Sequence, residues 1–288
     1  MRLSKEVILP GGIWVDDERH QEVSLQAPTG EDEAFLHDTA GRLPPVWRAA
    51  ALLERCLTRL GPYQPVEARH VLDLTVGDRE ALLLHLRRLT FGEHIQSVLH
   101  CPNQSCAEPM DLDLSVGDLL QTSYCDAEPF YRKKMAANGS VYQVQFRLPT
   151  GADQLAVVDI AGQEPEAVSN ALIRRCVKAI YQEGHEDRPL EKWPIEIGES
   201  ISKTMAELDP QAEITLNLKC PICGRLFSTL FDAASYLFQE LSNRIENIYH
   251  EVHLLAFHYH WSEAEILGMT AVRRHRYLEL LVDELGRG

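Results

Sequence analysis

The chain has 288 residues and a formal charge of −15, from 43 acidic against 28 basic side chains, enough length to bury one large core or two modest ones without covalent cross-links. The acidic balance argues against a nucleic-acid binder, which neutralises phosphates with a basic face, and against anionic membrane. No segment approaches the ~20 apolar residues of a membrane span, and the first residues lack the apolar run of a secretory signal. The expected setting is cytoplasmic and reducing, with other proteins as partners and no nucleic acid, membrane or small-molecule substrate.

In chain order, "EVILP" and "IWVDDERHQEVSLQ" predict a strand and a hairpin with an acidic tip. Thr29 reads as an N-cap with Asp32 in the first turn. A helix is predicted from Pro45 to Leu60, stopped by Gly61-Pro62. Asp78 is predicted to cap the helix "REALLLHLRRLTFG", which Gly92 closes. "YRKKMAANGSVYQVQFRLP" predicts a hairpin turning at Asn138-Gly139, a dipeptide that tolerates positive φ at both positions. Thr150 and Asp153 then form N-cap and N3 of a short helix. Further helices are predicted over about 164–182 and 197–208, with the loop "EGHEDRPLEKWP" between them. The last third is helical: Asp232 caps a helix to about Ile248, "YHEVHLLAFHYH" continues it, Ser262 and Glu265 form a capping box, and Thr270 caps a final helix ending at Gly286.

Two cysteine units interrupt this pattern, "HCPNQSC" with Cys101 and Cys106, and "KCPICG" with Cys220 and Cys223. Each opens with Cys-Pro and lies between alternating segments, "HIQSVLH" and "MDLDLS" for the first, "EITLNLK" and "RLFSTLF" for the second. The grammar is that of two β-hairpins with cysteines at their tips, a weak internal repeat. An odd total of seven cysteines argues against a disulfide framework, and paired short spacings in a reducing compartment favour a metal. Structural zinc takes four tetrahedral Cys or His ligands, often in pairs on tight turns. The candidate ligands are therefore Cys101, Cys106, Cys220 and Cys223, with His100 as a possible substitute if the wider C-x4-C pair fails and two metal-free turns as the alternative. Four thiolates would close the coordination shell, so such a zinc, one per chain, stabilises and does not catalyse. Cys56 and Cys176 read as buried apolar residues of helices, and Cys125 has no evident partner.

The other chemical signals are weak. His250 and His253 stand three apart in "YHEVH", so the His-Glu-x-x-His zincin pattern is absent, and with His258 and His260 they read as helix-face histidines. "RRHR" at 273–276 offers a small basic patch. "PTGAD" at 149–153 resembles an anion-cradling helix start, though an ordinary strand-to-helix turn accounts for it. Phosphate-loop, nucleophile-elbow and dinucleotide motifs do not occur, and the chain is expected to have no catalytic residues.

Four blocks in this order, "ALLLHLRRLTFGEHIQSVLHCPNQSC", "FRLPTGADQLA", "CPICGRLFSTLFD" and "EVHLLAFHYHWSEAEILGMTAVRRHRYLELL", resemble the baseplate protein family of T-even-like bacteriophages, whose relatives occur with contractile injection systems. The resemblance runs from about Leu72 to Leu285. It implies a non-enzymatic baseplate component working beside tube and sheath proteins in a contractile tail or injection particle, with Cys101, Cys106, Cys220 and Cys223 as a zinc-ribbon element. An assembly chaperone absent from the finished particle is the alternative; a zinc-ribbon adaptor or zinc enzyme is the second. The expected fold is α+β: an extended N-terminal arm or hairpin (1–35), a helical region (36–93), zinc-ribbon halves (94–115 and 212–231) flanking an inserted α/β segment (126–210), and a C-terminal helical region (232–288).

Overall fold

The computed structural model describes residues 4–38, 42–160, 165–184, 189–245 and 247–286. The chain is a mixture of helices and small antiparallel sheets, as the sequence predicts for the fold class. Strands β1 (Ser4–Val15) and β2 (Glu18–Gln26) form the N-terminal hairpin, followed by α1 (Gly30–Asp38) and α2 (Pro45–Cys56). The hairpin packs into the main core: Val7, Leu9, Val23 and Leu25 are buried with Leu52, Leu53 and Leu82.

Helix α2 is shorter than predicted. It ends at Cys56, and Leu57–Leu60 becomes β3, the third strand of the β1–β2 sheet, with Val23 opposite Leu60. Leu57 and Leu60 satisfy the apolar spacing of a helix face, yet both are buried on the sheet. Helix α3 (Ala68–Leu72) leads to α4 (Val76–Phe91), which is buried on nearly every side. Its N-cap is Thr75, whose hydroxyl accepts from Asp78 N; Asp78 itself lies three residues further in and is fully buried. The predicted cap was thus one turn late, because Asp78 bonds Thr75 and the β1 backbone instead of starting the helix.

The first cysteine hairpin is β4 (His94–His100) paired with β5 (Pro109–Ser115), then the single turn α5 (Val116–Leu119). The following segment forms a separate sheet of β6 (Tyr131–Ala137), β7 (Ser140–Phe146) and β8 (Val177–Gln182), turning at Asn138-Gly139 with φ of 50° and 75°. Helices α6 (Gly151–Ala156), α7 (Pro165–Cys176) and α8 (Ile195–Leu208) accompany it, and Phe146, Ile173, Ile180, Ile197 and Ile201 share its own core. The helix expected over 164–182 ends at Cys176, where Val177 and Ile180 turn the chain into β8. Its expected first residue, Glu164, and the middle of the loop 183–194 lie outside the described residues.

The second cysteine hairpin, β9 (Ile214–Lys219) with β10 (Leu226–Phe231), precedes α9 (Ala233–Ile245), α10 (Ile248–Tyr259), α11 (Glu263–Leu267) and α12 (Ala271–Leu285). Asp232 accepts from Ser235 N at 2.8 Å and so caps α9, and Ser262 with Glu265 completes the predicted capping box. The predicted helix to Ile248 divides, with α9 ending at Ile245 and α10 beginning at Ile248.

Ion pairs tie the C-terminal helices to the N-terminal part. Glu33 of α1 is fully buried between Arg274 of α12, at 2.5 Å, and Arg244 of α9; Arg274 also bonds Glu251 of α10 at 2.7 Å. Arg274, read from sequence as part of a basic patch, is the largest fully buried side chain among the described residues. Its charge is consumed inside the protein.

Candidate metal centre

Each hairpin alternates inward and outward residues, because strand side chains have a period of two. The inward rows carry Ile95, Leu99, Met110 and Leu114 on the first hairpin and Ile214, Leu216, Leu218 and Phe227 on the second. At the base, Ile95 and Ile214 pack with Leu84 of α4, Val116 and Ala233. Toward the tips, Met110, Leu99, Leu218 and Phe227 surround the cysteines. Gln211 holds the two bases together: its side-chain amide donates to Leu119 O at 3.3 Å and its carbonyl oxygen accepts from Gln121 N at 2.7 Å. The segment leaving the first hairpin is thereby fastened to the segment entering the second.

The tips bring all four predicted cysteines to one point, although 113 residues separate the two pairs. Their sulfurs lie within 4.8 Å of one another. Cys101 Sγ is 3.7 Å from Cys223 Sγ, and Cys106 Sγ is 3.9 Å from Cys220 Sγ. These are free thiols, not disulfides. A tetrahedron with metal–sulfur bonds of ~2.3 Å has sulfur–sulfur edges of roughly 3.8 Å, so the observed separations fit a four-thiolate shell.

The two turns are built alike despite their unequal lengths. Cys101 N donates to Glu108 O at 3.0 Å and Cys220 N to Arg225 O at 2.9 Å. The residue after each second cysteine has positive φ, Ala107 at 48° and Gly224 at 73°. This folds the backbone back so that amides face sulfur: Asn103 N–H points to Cys101, Glu108 N–H to Cys106 and Arg225 N–H to Cys223. The extra residues of the first loop are absorbed by Asn103, whose carbonyl accepts from the amides of Cys106 and Ala107, both at 2.8 Å, and whose side chain reaches Cys223 Sγ at 3.9 Å.

The electrostatics suit a cation. The Arg225 amide, aided by the neighbouring thiols and Asn103, holds the Cys223 thiol down to about 6. At Cys101 the Asn103 amide pulls the same way, but burial and the three facing thiols outweigh it and push the thiol up to about 12. Cys106 is pushed up as well, its Glu108 amide outweighed by burial and by Cys220 and Cys223. Four sulfurs this close resist joint ionisation unless a positive ion lies among them.

Among the described residues this is the one cluster of potential metal donors that the structure assembles. His100 lies on the exposed face of β4 and Cys125 is exposed beyond α5; neither belongs to the cluster. The α10 histidines are exposed and form no such group. The "PTGAD" turn cradles its own side chain: Asp153 accepts from Thr150 N and Thr150 Oγ1, both at 3.1 Å, and pairs with Arg147 and Arg175. Sequence reasoning missed Asn103, Gln211 and the sulfur-facing amides; the positive φ required after each CPxxxC or CPxC turn, met by Gly224, was the available signal. No helix of the described residues is long and apolar enough to cross a membrane.

Comparison with known families gives one result that covers this architecture. The model of the T4 bacteriophage base plate protein family matches residues 52–238, from α2 through both cysteine hairpins to α9. The match includes three of the four sequence blocks noted above and stops short of the C-terminal one. No curated protein and no solved structure matches the chain. The fold and site define a mixed helical and antiparallel protein whose paired hairpins converge on a cysteine cluster. The chain belongs to the T4 bacteriophage base plate protein family, and so to the proteins of phage tails.

Proposed function

We propose that the protein is a structural component of the base plate of a contractile phage tail or injection particle, acting through contacts with other baseplate, tube or sheath proteins. The observation that carries this reading is the family match across residues 52–238. We further propose that Cys101, Cys106, Cys220 and Cys223 hold one structural zinc. The four-thiol geometry and the sulfur-facing amides support it, and a complete thiolate shell leaves no position for water or substrate. Such an ion would join two hairpins across 113 intervening residues, and closing a loop of that length removes a few kcal/mol of chain entropy from the unfolded state. The ribbon would then stay rigid where a contractile machine transmits force.

Quantitative mass spectrometry of purified particles beside the producing lysate tests the role. A fixed ratio of this chain to the tube or sheath protein is expected. Its absence from finished particles would replace the component by an assembly factor. The Cys101→Ser, Cys220→Ser double variant is expected to enter particles poorly, and normal incorporation would remove the structural role of the metal.

A further inference from the structure

Each ribbon hairpin is a sheet of two strands and so presents two open edges. An open edge is a template for another strand unless charge, proline or a covering element guards it. Three of the four edges are guarded. On β4, Tyr236 of α9 donates its hydroxyl to Gln96 O at 2.8 Å. Strand β5 carries Pro109 and the exposed Asp111 and Asp113, and β9 carries the exposed Lys219. Strand β10, Leu226-Phe-Ser-Thr-Leu-Phe231, has no charge and no proline.

The register shows which backbone groups are free on that edge. Cys220 N donates to Arg225 O, and the ladder continues with Leu226 opposite Lys219, Phe227 opposite Leu218 and Ser228 opposite Asn217. Hydrogen-bonded and non-bonded pairs alternate in an antiparallel ladder. Leu226, Ser228 and Leu230 therefore turn both N–H and C=O outward, and no described residue bonds those groups. Their side chains stand on the exposed face, with Leu226 76% and Leu230 62% accessible.

The outward row Leu226, Ser228, Leu230 reads the same in both directions. We propose that this edge pairs with the same edge of a second copy of the chain, antiparallel, about a two-fold axis at Ser228. The four strands then form one sheet in the order β9, β10, β10, β9. In this register Leu226 faces the second copy's Leu230 and Ser228 faces its counterpart. All three outward residues meet as hydrogen-bonded pairs, giving about six backbone bonds across the contact. Each leucine gains a leucine across the strand, while Arg225 falls opposite Phe231 and so avoids its own like charge. The same patch serves both copies, so the contact closes at two. Its small area makes it weak and concentration-dependent in solution.

The test uses the full chain as purified. Sedimentation equilibrium at rising concentration is expected to show monomer passing to dimer and nothing larger. A hydrogen-bonded antiparallel pair sets Cα atoms ~5.5 Å apart, within disulfide reach, so Ser228→Cys oxidised with copper phenanthroline should give dimers joined residue 228 to residue 228, read by peptide mass spectrometry. Ser228→Pro removes an outward N–H, which an edge strand tolerates, together with the exposed bond from Ser228 Oγ to Asn217, and Leu226→Lys adds the missing guard charge. Both should abolish association while circular dichroism and metal content stay as in the unaltered chain. A monomer at every concentration, a dimer that persists in both variants, or cross-links only through Cys125 would overturn the proposal.

Discussion

A carboxyl buried without a cation destabilises the fold in its ionised form, and its raised pKa records that cost. Asp78 is fully enclosed at the start of α4; burial pushes it up to about 6, Asp209 adds repulsion, and the amides of Gly11 and Gly12 with Thr75 offset part of this. Between the ordinary value of 3.8 and about 6, the folded chain keeps a proton that the unfolded chain has lost. Stability therefore falls as pH rises through that window. Asp78→Asn should reduce the loss between about pH 4 and about pH 7 by on the order of 3 kcal/mol, measured as urea unfolding at both pH values; an unchanged slope would contradict this assignment. Glu33 is buried between two arginines. Glu33→Ala leaves the buried Arg274 with Glu251 as its one carboxylate and takes the Glu33 carboxylate from Arg244, and should cost about 3 kcal/mol, read from the urea midpoint. Neither role was legible in the sequence, where Asp78 looked like an N-cap and Glu33 lies 241 residues from Arg274. The two cysteine turns were legible, because short Cys spacing on a tight turn is a local pattern.

Elements were legible where a local signal marks their ends. Asn138-Gly139, Asp232 and the Ser262–Glu265 box all fall where the structure puts turns and caps. Two boundaries failed for one reason. After Cys56 and after Cys176 the chain passes from helix straight into strand, and Leu57 with Leu60, or Val177 with Ile180, suits either state until a partner strand is present. Pairing with β2 and β7 decides, and that information is non-local. The cysteine turns yield a prediction at this scale. Ala107 and Gly224 occupy equivalent left-handed positions, and a Cβ at Gly224 would meet nothing within 4 Å. Backbone strain alone therefore separates glycine from alanine here. Gly224→Ala should cost about 1 kcal/mol and Ala107→Gly should return a similar amount, both measured as shifts in thermal midpoint with metal content checked in parallel. A stabilising Gly224→Ala would show that the turn is not held in the left-handed region.

At the scale of the whole molecule, the fold class was readable because the hairpin and helix patterns are strong, whereas the arrangement was not. The N-terminal hairpin enters the main core, and Asp209 accepts from Gly77 N at 3.0 Å to pin the end of α8 against the start of α4. Gly77 must be glycine for that contact, since an added Cβ would lie 1.8 Å from Asp209 Oδ1. Such contacts hold both hairpin bases on one platform, and the platform is what lets four thiols distant in sequence meet. We propose that a metal completes this meeting. Elemental mass spectrometry on the purified native chain, beside a Cys220→Ser, Cys223→Ser variant, tests it most directly. About one zinc per chain, lost in the variant together with thermal stability, is the expected result; well-folded native protein that contains no zinc would contradict the account.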